Sequence, residues 1–363
     1  MTSHPEWNRN TSALEVARVF SERIKGRNVV LTGIAPNGVG EATALAFASQ
    51  DPGILILVSR TAEKLKRTAE MIMKLYPRVN VNTMVMDLSS QAAIRKTAEE
   101  ITQSVNKIDI LINNAGVNSH HHKWTEEKIE YQFGVNHLGP FLLTNLLMPL
   151  ILKAAEESTP GATRIITLTS LAHRLSPVRF TDYNFEGKPL IKEEEPFAHL
   201  PPTFTLPPAF CRETDPGYVP MVAYAQSKTA SILFTRYLKD HLSLAGVTSV
   251  AVNPGGVNTE LGREHDQETT EAIMKTSDYW KTTDEGASTT MVAALDPALD
   301  SMKPEGRRTP RWKLTSFTDS DGIYMSDCQL DECAEFASDP KLAEKLWRLS
   351  EHLTGGTYDL LPN

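Results

Sequence analysis

The chain has 363 residues, 40% hydrophobic and 23% charged, a globular composition that allows one large α/β domain or two small ones. Its net charge of -8 and pI near 5.7 argue against a nucleic-acid or anionic-membrane surface. Three cysteines (Cys211, Cys328, Cys333) are too few for a disulfide framework and lack zinc spacing, so free thiols and no metal site are expected. The polar start MTSHPEWNRN has no signal-peptide core, and no apolar run reaches about 18 residues. A cytoplasmic chain with no transmembrane helix is the expectation.

Residues 1–10 read as disordered, and 11–24 as a short helix ahead of the core. Strands are then expected at 28–32 (NVVLT), 54–59 (ILILVS), 79–86, 109–113 (DILIN), 163–169 (TRIITLT) and 247–253 (VTSVAVN). Helices are expected between them at 39–49, 62–76, 91–105, 136–157 and 221–244. Near-continuous apolar strands alternating with amphipathic helices indicate a parallel sheet covered on both faces. The fold class is therefore α/β, a doubly wound, mostly parallel sheet of seven strands. Its expected parts are a tail and helix at 1–25, a core domain at 26–320 and a helical extension at 321–363.

One stretch breaks the rhythm. Residues 186–220 hold eight prolines and the acidic run Glu193–Glu195, so no regular element runs through them. The stretch lies within an insertion at 175–220, read as a surface excursion and a lid beside the site.

The motifs lie at the ends of the strands. Gly33, Gly38, Val39 and Gly40 follow the first strand and open the first helix, where backbone can approach a pyrophosphate. Ser59-Arg60 ends the second strand. A carboxylate there would accept from a ribose 2′-hydroxyl, whereas a guanidinium pairs with a 2′-phosphate. NADP(H) is therefore expected over NAD(H). Asp87 and Leu88 follow the third strand, Asn113-Asn114-Ala115-Gly116 ends the fourth, Ser170 follows the fifth, and Pro254-Gly255-Gly256-Val257-Asn258-Thr259 follows the sixth. Open parallel sheets bind ligands outside these carboxyl ends. Tyr224 and Lys228, four apart in a helical pattern, share a face. A lysine ammonium beside a phenol favours phenolate and is expected to draw the tyrosine down from about 10. That makes a proton donor and acceptor at physiological pH.

Together these segments resemble the short-chain dehydrogenase/reductase family over residues 25 to about 300. The nearest likeness is to its retinol-dehydrogenase-like and WW-domain-oxidoreductase-like branch, through RIITLTSLAHR at 164–174, GIYMSDC at 322–328 and ASDPKLAEKLWRLSEHL at 337–353. The helix ahead of the first strand resembles fungal members. The resemblance implies Tyr224 as catalytic acid/base and Lys228 as the group that lowers its pKa and holds the nicotinamide ribose. It implies Ser170 as the hydrogen-bond partner of the substrate oxygen, Asn136 as part of a proton relay, and Val257 and Thr259 as cofactor contacts. Departures are the four residues between Gly33 and Gly38, Thr169 before Ser170, and the long gap from Ser170 to Tyr224.

The weaker signals are read as structural. His120-His121-His122 reads as a solvated loop near the substrate pocket. Trp124 and Tyr183 are as compatible with packing as with a pocket wall. Leu342, Leu346 and Leu349 mark an amphipathic terminal helix that docks on the domain or on a second subunit. The expected activity is NADP(H)-dependent reduction of an apolar ketone or aldehyde, or oxidation of the matching alcohol. With a fungal source, the resemblance implies secondary-metabolite tailoring. NAD-linked alcohol oxidation and a silent dinucleotide sensor are the alternatives. The expected partner is a small apolar carbonyl or alcohol, with no nucleic acid and no membrane insertion. Family likeness also allows a homodimer or homotetramer.

Overall fold

The computed structural model describes residues 1–201, 203–300 and 322–361. The expected domain limit at 320 and one of the eight prolines, Pro202, lie outside them. Among the described residues eight strands form one sheet: β1 (Asn28–Thr32), β2 (Ile54–Ser59), β3 (Val81–Val85), β4 (Ile110–Asn113), β5 (Thr163–Leu168), β6 (Val247–Asn253), β7 (Tyr324–Ser326) and β8 (Gln329–Leu330). Their order is β3-β2-β1-β4-β5-β6-β7-β8. Every pairing from β3 across to β7 is parallel, and β7 pairs with β8 antiparallel. Strands β1, β2 and β4 to β6 are buried along almost their whole length, because helices cover both faces.

The sheet has one strand more than the seven expected. β8 returns from β7 through Asp327 and Cys328, both at positive φ (48° and 65°). That is the backbone of a tight two-residue hairpin, built without the Asn-Gly or Asp-Gly pair that marks such turns.

The order reverses at β1, with β2 on one side and β4 on the other. A crevice opens above that switch point at the carboxyl ends of the strands.

Several sequence expectations are corrected. The first ten residues are packed, not disordered. Trp7 is buried, stacks on His4 at 4.1 Å and meets the edge of Phe20 at 5.5 Å. Gln329 of β8 donates to the carbonyls of His4 and Trp7, and Asp296 accepts from the Ser3 amide at 2.7 Å. These partners lie about 300 residues away in sequence, so no local pattern carried them.

The helix expected at 136–157 runs instead over Tyr131–Glu156 and contains a π-helical turn at Gly134–Leu138. By length and composition it is apolar enough to cross a bilayer, against the sequence expectation. Phe141, Leu142, Leu143, Leu147 and Ile151 are instead fully buried in the core. The helix Pro340–Thr354 lays Leu346 and Trp347 on the core. Trp347 stacks on Tyr237 of the helix Pro220–Leu242 at 4.0 Å.

Candidate active site

The glycine turn is shaped by contact. Gly33 sits at φ 78°, and a Cβ there would lie 2.5 Å from the Ala115 Cα. A Cβ on Gly40 would lie 2.6 Å from the Gly33 carbonyl oxygen. Only glycine allows the β1 turn to press against the β4 turn. Asn114 stitches the two together, donating through Nδ2 to the carbonyls of Thr32 (2.8 Å) and Gly33 (3.1 Å). The Ala115 amide donates to Thr32 Oγ1 at 3.1 Å. Asn114 therefore builds the cradle with its amide nitrogen.

A cleft of about 320 Å³ runs along these carboxyl ends. Gly33, Gly38, Val39, Gly40, Arg60, Asp87, Leu88, Asn114, Ala115, Gly116, Pro254, Gly255, Val257 and Thr259 all line it, as do Ser170, Tyr224 and Lys228. At one end Arg60 donates through Nη1 to the Tyr131 hydroxyl at 2.9 Å. Lys64, in the first turn of the helix Ala62–Leu75, pairs with Glu260 at 2.5 Å across the mouth. Asp87 Oδ1 accepts from the amide and hydroxyl of its neighbour Ser89 at 2.9 and 2.8 Å, which holds the turn after β3. Behind Gly255, which has φ 85°, lies the buried Lys281, paired with Asp327 at 2.6 Å. The Lys281 amide also donates to the Gly256 carbonyl at 2.8 Å, so this loop is held from both its backbone and its rear.

Ser170, Tyr224, Lys228 and Asn136 converge at the other end. The helix Pro220–Leu242 carries Tyr224 and Lys228, and nearly all of its first half is buried. Thr169 Oγ1 donates to the Lys228 carbonyl at 2.8 Å, which fixes β5 against that helix. Ser170 and Tyr224 line the same end of the cleft. The Lys228 ammonium donates to the Leu168 carbonyl at 3.2 Å and lies 5.5 Å from the Tyr224 ring centre. Asn136 sits in the π-helical turn, a feature frequent at functional sites. Its Oδ1 accepts from the Val117 amide at 2.8 Å, and its Nδ2 donates to the Val117 carbonyl and Ser227 Oγ, both at 2.9 Å. A Cβ on Gly116 would lie 3.3 Å from Lys228 Nζ and 3.5 Å from Asn136 Oδ1. Lysine and asparagine thus flank the same glycine.

The expected depression of the tyrosine is reversed in this geometry. Burial pushes Tyr224 up to about 12, against the smaller opposite pull of the Ser170 side chain. Burial also pushes Lys228 down to about 8. The lysine spends a hydrogen bond on a carbonyl rather than on the phenol, and burial dominates both groups.

Sequence reading missed Lys64, Tyr131, Glu260 and Arg263, all of which line the cleft. Lys64 was findable, in the first turn of the helix that follows Arg60. Tyr131 and Arg263 lie at distant positions brought in by topology. The histidines at 120–122 are less solvated than expected. His122 stacks on the buried Tyr218 at 4.5 Å, and His120 faces Asp266 at 3.8 Å. Trp124 is half-exposed, and Tyr183 packs on Phe133 at 5.7 Å.

The short chain dehydrogenase family model matches residues 27–184. An oxidoreductase of Fusarium equiseti, fscI, is 35% identical over 68% of this chain and 93% of its own length. Human retinol dehydrogenase 13 is 35% identical over 92% of this chain and 86% of its own. Among solved structures, an uncharacterised protein from Mycobacterium paratuberculosis superposes with a TM-score of 0.60 at 25% identity, covering 93% of this chain and 96% of that one. The Pseudomonas aeruginosa RhlG/NADP complex shares the fold at a TM-score of 0.53 and 20% identity, covering 77% of this chain and 92% of its own. The chain belongs to the short-chain dehydrogenase/reductase family of nicotinamide-dependent oxidoreductases. Its relatives include retinol dehydrogenases and a fungal oxidoreductase.

Proposed function

We propose that the protein reduces an apolar ketone or aldehyde with NADPH, or oxidises the matching alcohol with NADP. One observation carries this reading. Ser170, Tyr224 and Lys228 line one cleft together with Arg60 and Lys64. The cradle fits a dinucleotide, because the Gly33 and Gly40 contacts leave backbone bare where a pyrophosphate is held. Arg60, with Lys64 in the helix just after it, supplies the cationic charge that suits a 2′-phosphate.

When bound, the dinucleotide supplies or takes up a hydride. The chain's own residues handle the oxygen and its proton. In the reducing direction Ser170 donates to the carbonyl oxygen and polarises it. Tyr224 then delivers its hydroxyl proton to that oxygen as the charge develops, completing the alcohol. Lys228 favours the resulting phenolate, and Asn136 holds the Val117 backbone beside the site while serving the proton relay. Leu175, Phe210, Met221 and Ala225 cluster around Tyr224, which favours an apolar substrate. Relatives named for retinol, an apolar alcohol, agree with that class.

The test is a panel of apolar aldehydes and ketones, all-trans-retinal and decanal among them, followed by loss of NADPH absorbance. Turnover with NADPH well above that with NADH is expected. Comparable rates with NADH would remove the argument from Arg60. No turnover by any carbonyl or matching alcohol would favour a silent sensor.

A further inference from the structure

His173 follows Ser170 by three residues and is fully buried. Its backbone amide and its ring Nδ1 both reach the Ser170 carbonyl, at 3.1 and 2.7 Å. On the far side of the ring, Nε2 lies 3.0 Å from the backbone amide of Ala334, 161 residues away in sequence. An amide can only donate, so Nε2 holds a lone pair and the single ring proton is on Nδ1, donating to Ser170. Both hydrogen bonds demand the same neutral tautomer. Burial supports it, pushing the ring down to about 4.

The consequence falls on the serine side chain. A carbonyl held twice cannot swing, so the peptide after Ser170 is fixed. Two residues on, the Ala172 amide donates to Ser170 Oγ at 3.2 Å. That bond occupies one lone pair of the hydroxyl and leaves its proton free to turn toward Tyr224. Neighbouring contacts brace the same turn. Thr229, next to Lys228, donates to the His173 carbonyl at 3.0 Å. Arg174 donates to the Glu332 carbonyl, and Tyr324 of β7 packs on the ring at 5.3 Å.

We propose that His173 is a positioning residue for Ser170, and that the backbone at Glu332–Ala334 sets the tautomer it uses. This rests on the reading of Ser170 as the hydroxyl that meets the substrate oxygen.

The experiment compares His173→Asn, His173→Gln, His173→Ala and Ser170→Ala. Turnover of the fastest carbonyl in the panel above is measured, and each variant is crystallised with NADPH. Asparagine places an amide N–H where Nδ1 stood; glutamine reaches toward Ala334 and abandons the Ser170 carbonyl. Expected is a loss in kcat of at least about tenfold in the Gln and Ala variants, with Asn within about threefold of the parent. The KM for NADPH stays unchanged throughout. In the crystals Ser170 Oγ keeps its place beside Tyr224 only in the parent and the Asn variant. Parental kcat in the Gln variant, equal losses in Asn and Gln, or an unmoved Ser170 in the Gln crystal would each overturn the proposal. An active Ser170→Ala variant would instead overturn the role of Ser170 itself.

Discussion

The ammonium nitrogen of Lys228 donates to the carbonyl of Leu168, the last residue of β5, and so holds the fifth strand to the helix that bears Tyr224. The same burial that places it there lowers its pKa from 10.5 to about 8. A depressed folded value means its contribution to stability is full above 10.5 and is lost as pH falls through 8. At pH 7 the buried ammonium costs the fold about 3 kcal/mol, offset by roughly 1 kcal/mol from its hydrogen bond. We expect Lys228→Met to be about 2 kcal/mol more stable at pH 7, yet at least ~100-fold slower in turnover. Denaturant unfolding beside a rate assay checks both. A Met variant that is less stable, or that keeps its rate, contradicts this account of the lysine.

Tyr224→Phe removes one hydroxyl and little volume from an apolar surround. Turnover should fall by at least ~100-fold, the scale of proton transfer by a positioned acid. NADPH affinity, read by fluorescence titration, should stay within about twofold, since the hydroxyl is not needed to form the cradle. A Phe variant with near-parental kcat removes Tyr224 as the acid.

Arg60 is exposed and is steadied by the Tyr131 hydroxyl at 2.9 Å. Arg60→Ala should weaken NADPH by roughly 10- to 100-fold, the worth of a charge-assisted hydrogen bond, and leave NADH almost unaffected. Tyr131→Phe should cost NADPH only a few-fold, because the guanidinium survives without its support. Binding isotherms for both dinucleotides decide this; equal losses for the two would show a general defect in the cradle.

Gly33→Ala meets two penalties at once: a positive φ, and a Cβ 2.5 Å from the Ala115 Cα. A loss of at least about 2 kcal/mol in stability is expected, together with loss of dinucleotide binding. Thermal unfolding with and without NADPH measures both. If the Ala variant binds NADPH normally, the close approach of the two turns is not what builds the site.

Acid stability turns on buried histidines. Burial holds His137 at about 3 and His173 at about 4, both below the ordinary 6.5. Their contributions are whole above 6.5 and are lost as pH falls toward those values, because the unfolded chain takes up protons that the folded chain refuses. Glu130 works the other way: burial raises it to about 7, so its contribution is whole below 4.5 and is lost as pH rises through 7. His137→Gln retains a side-chain partner for the Ser350 hydroxyl, now 2.7 Å from Nε2. It should flatten the fall in stability below pH 6.5 by roughly 1.4 kcal/mol per pH unit. Unfolding series across pH 4 to 7 test it, and an unchanged slope would place the acid response elsewhere.

Much was legible in the residues alone, for a local reason. β1 and β2 coincide with their expected ranges, because a strand buried on both faces is written as a short, nearly unbroken apolar run. The motifs at the strand ends were readable because each is a few adjacent residues whose backbone or charge does the work. β8 was not readable, since two residues carry no pattern of their own. Nor was the order in the first ten residues, whose partners Asp296 and Gln329 lie at the far end of the chain.

The pairing of Tyr224 with Lys228 marks the boundary between the two kinds of knowledge. Four-residue spacing on a helix determined that both side chains face one way. Whether charge or burial governs the phenol depends on how much of the chain closes over it, and that is a property of packing. Desolvation at that depth raises Tyr224 and lowers Lys228, while Leu168 takes the ammonium's hydrogen bond. Likewise, sequence placed Ser170 after a strand, but only the tertiary structure brought Ala334 to the ring of His173 behind it.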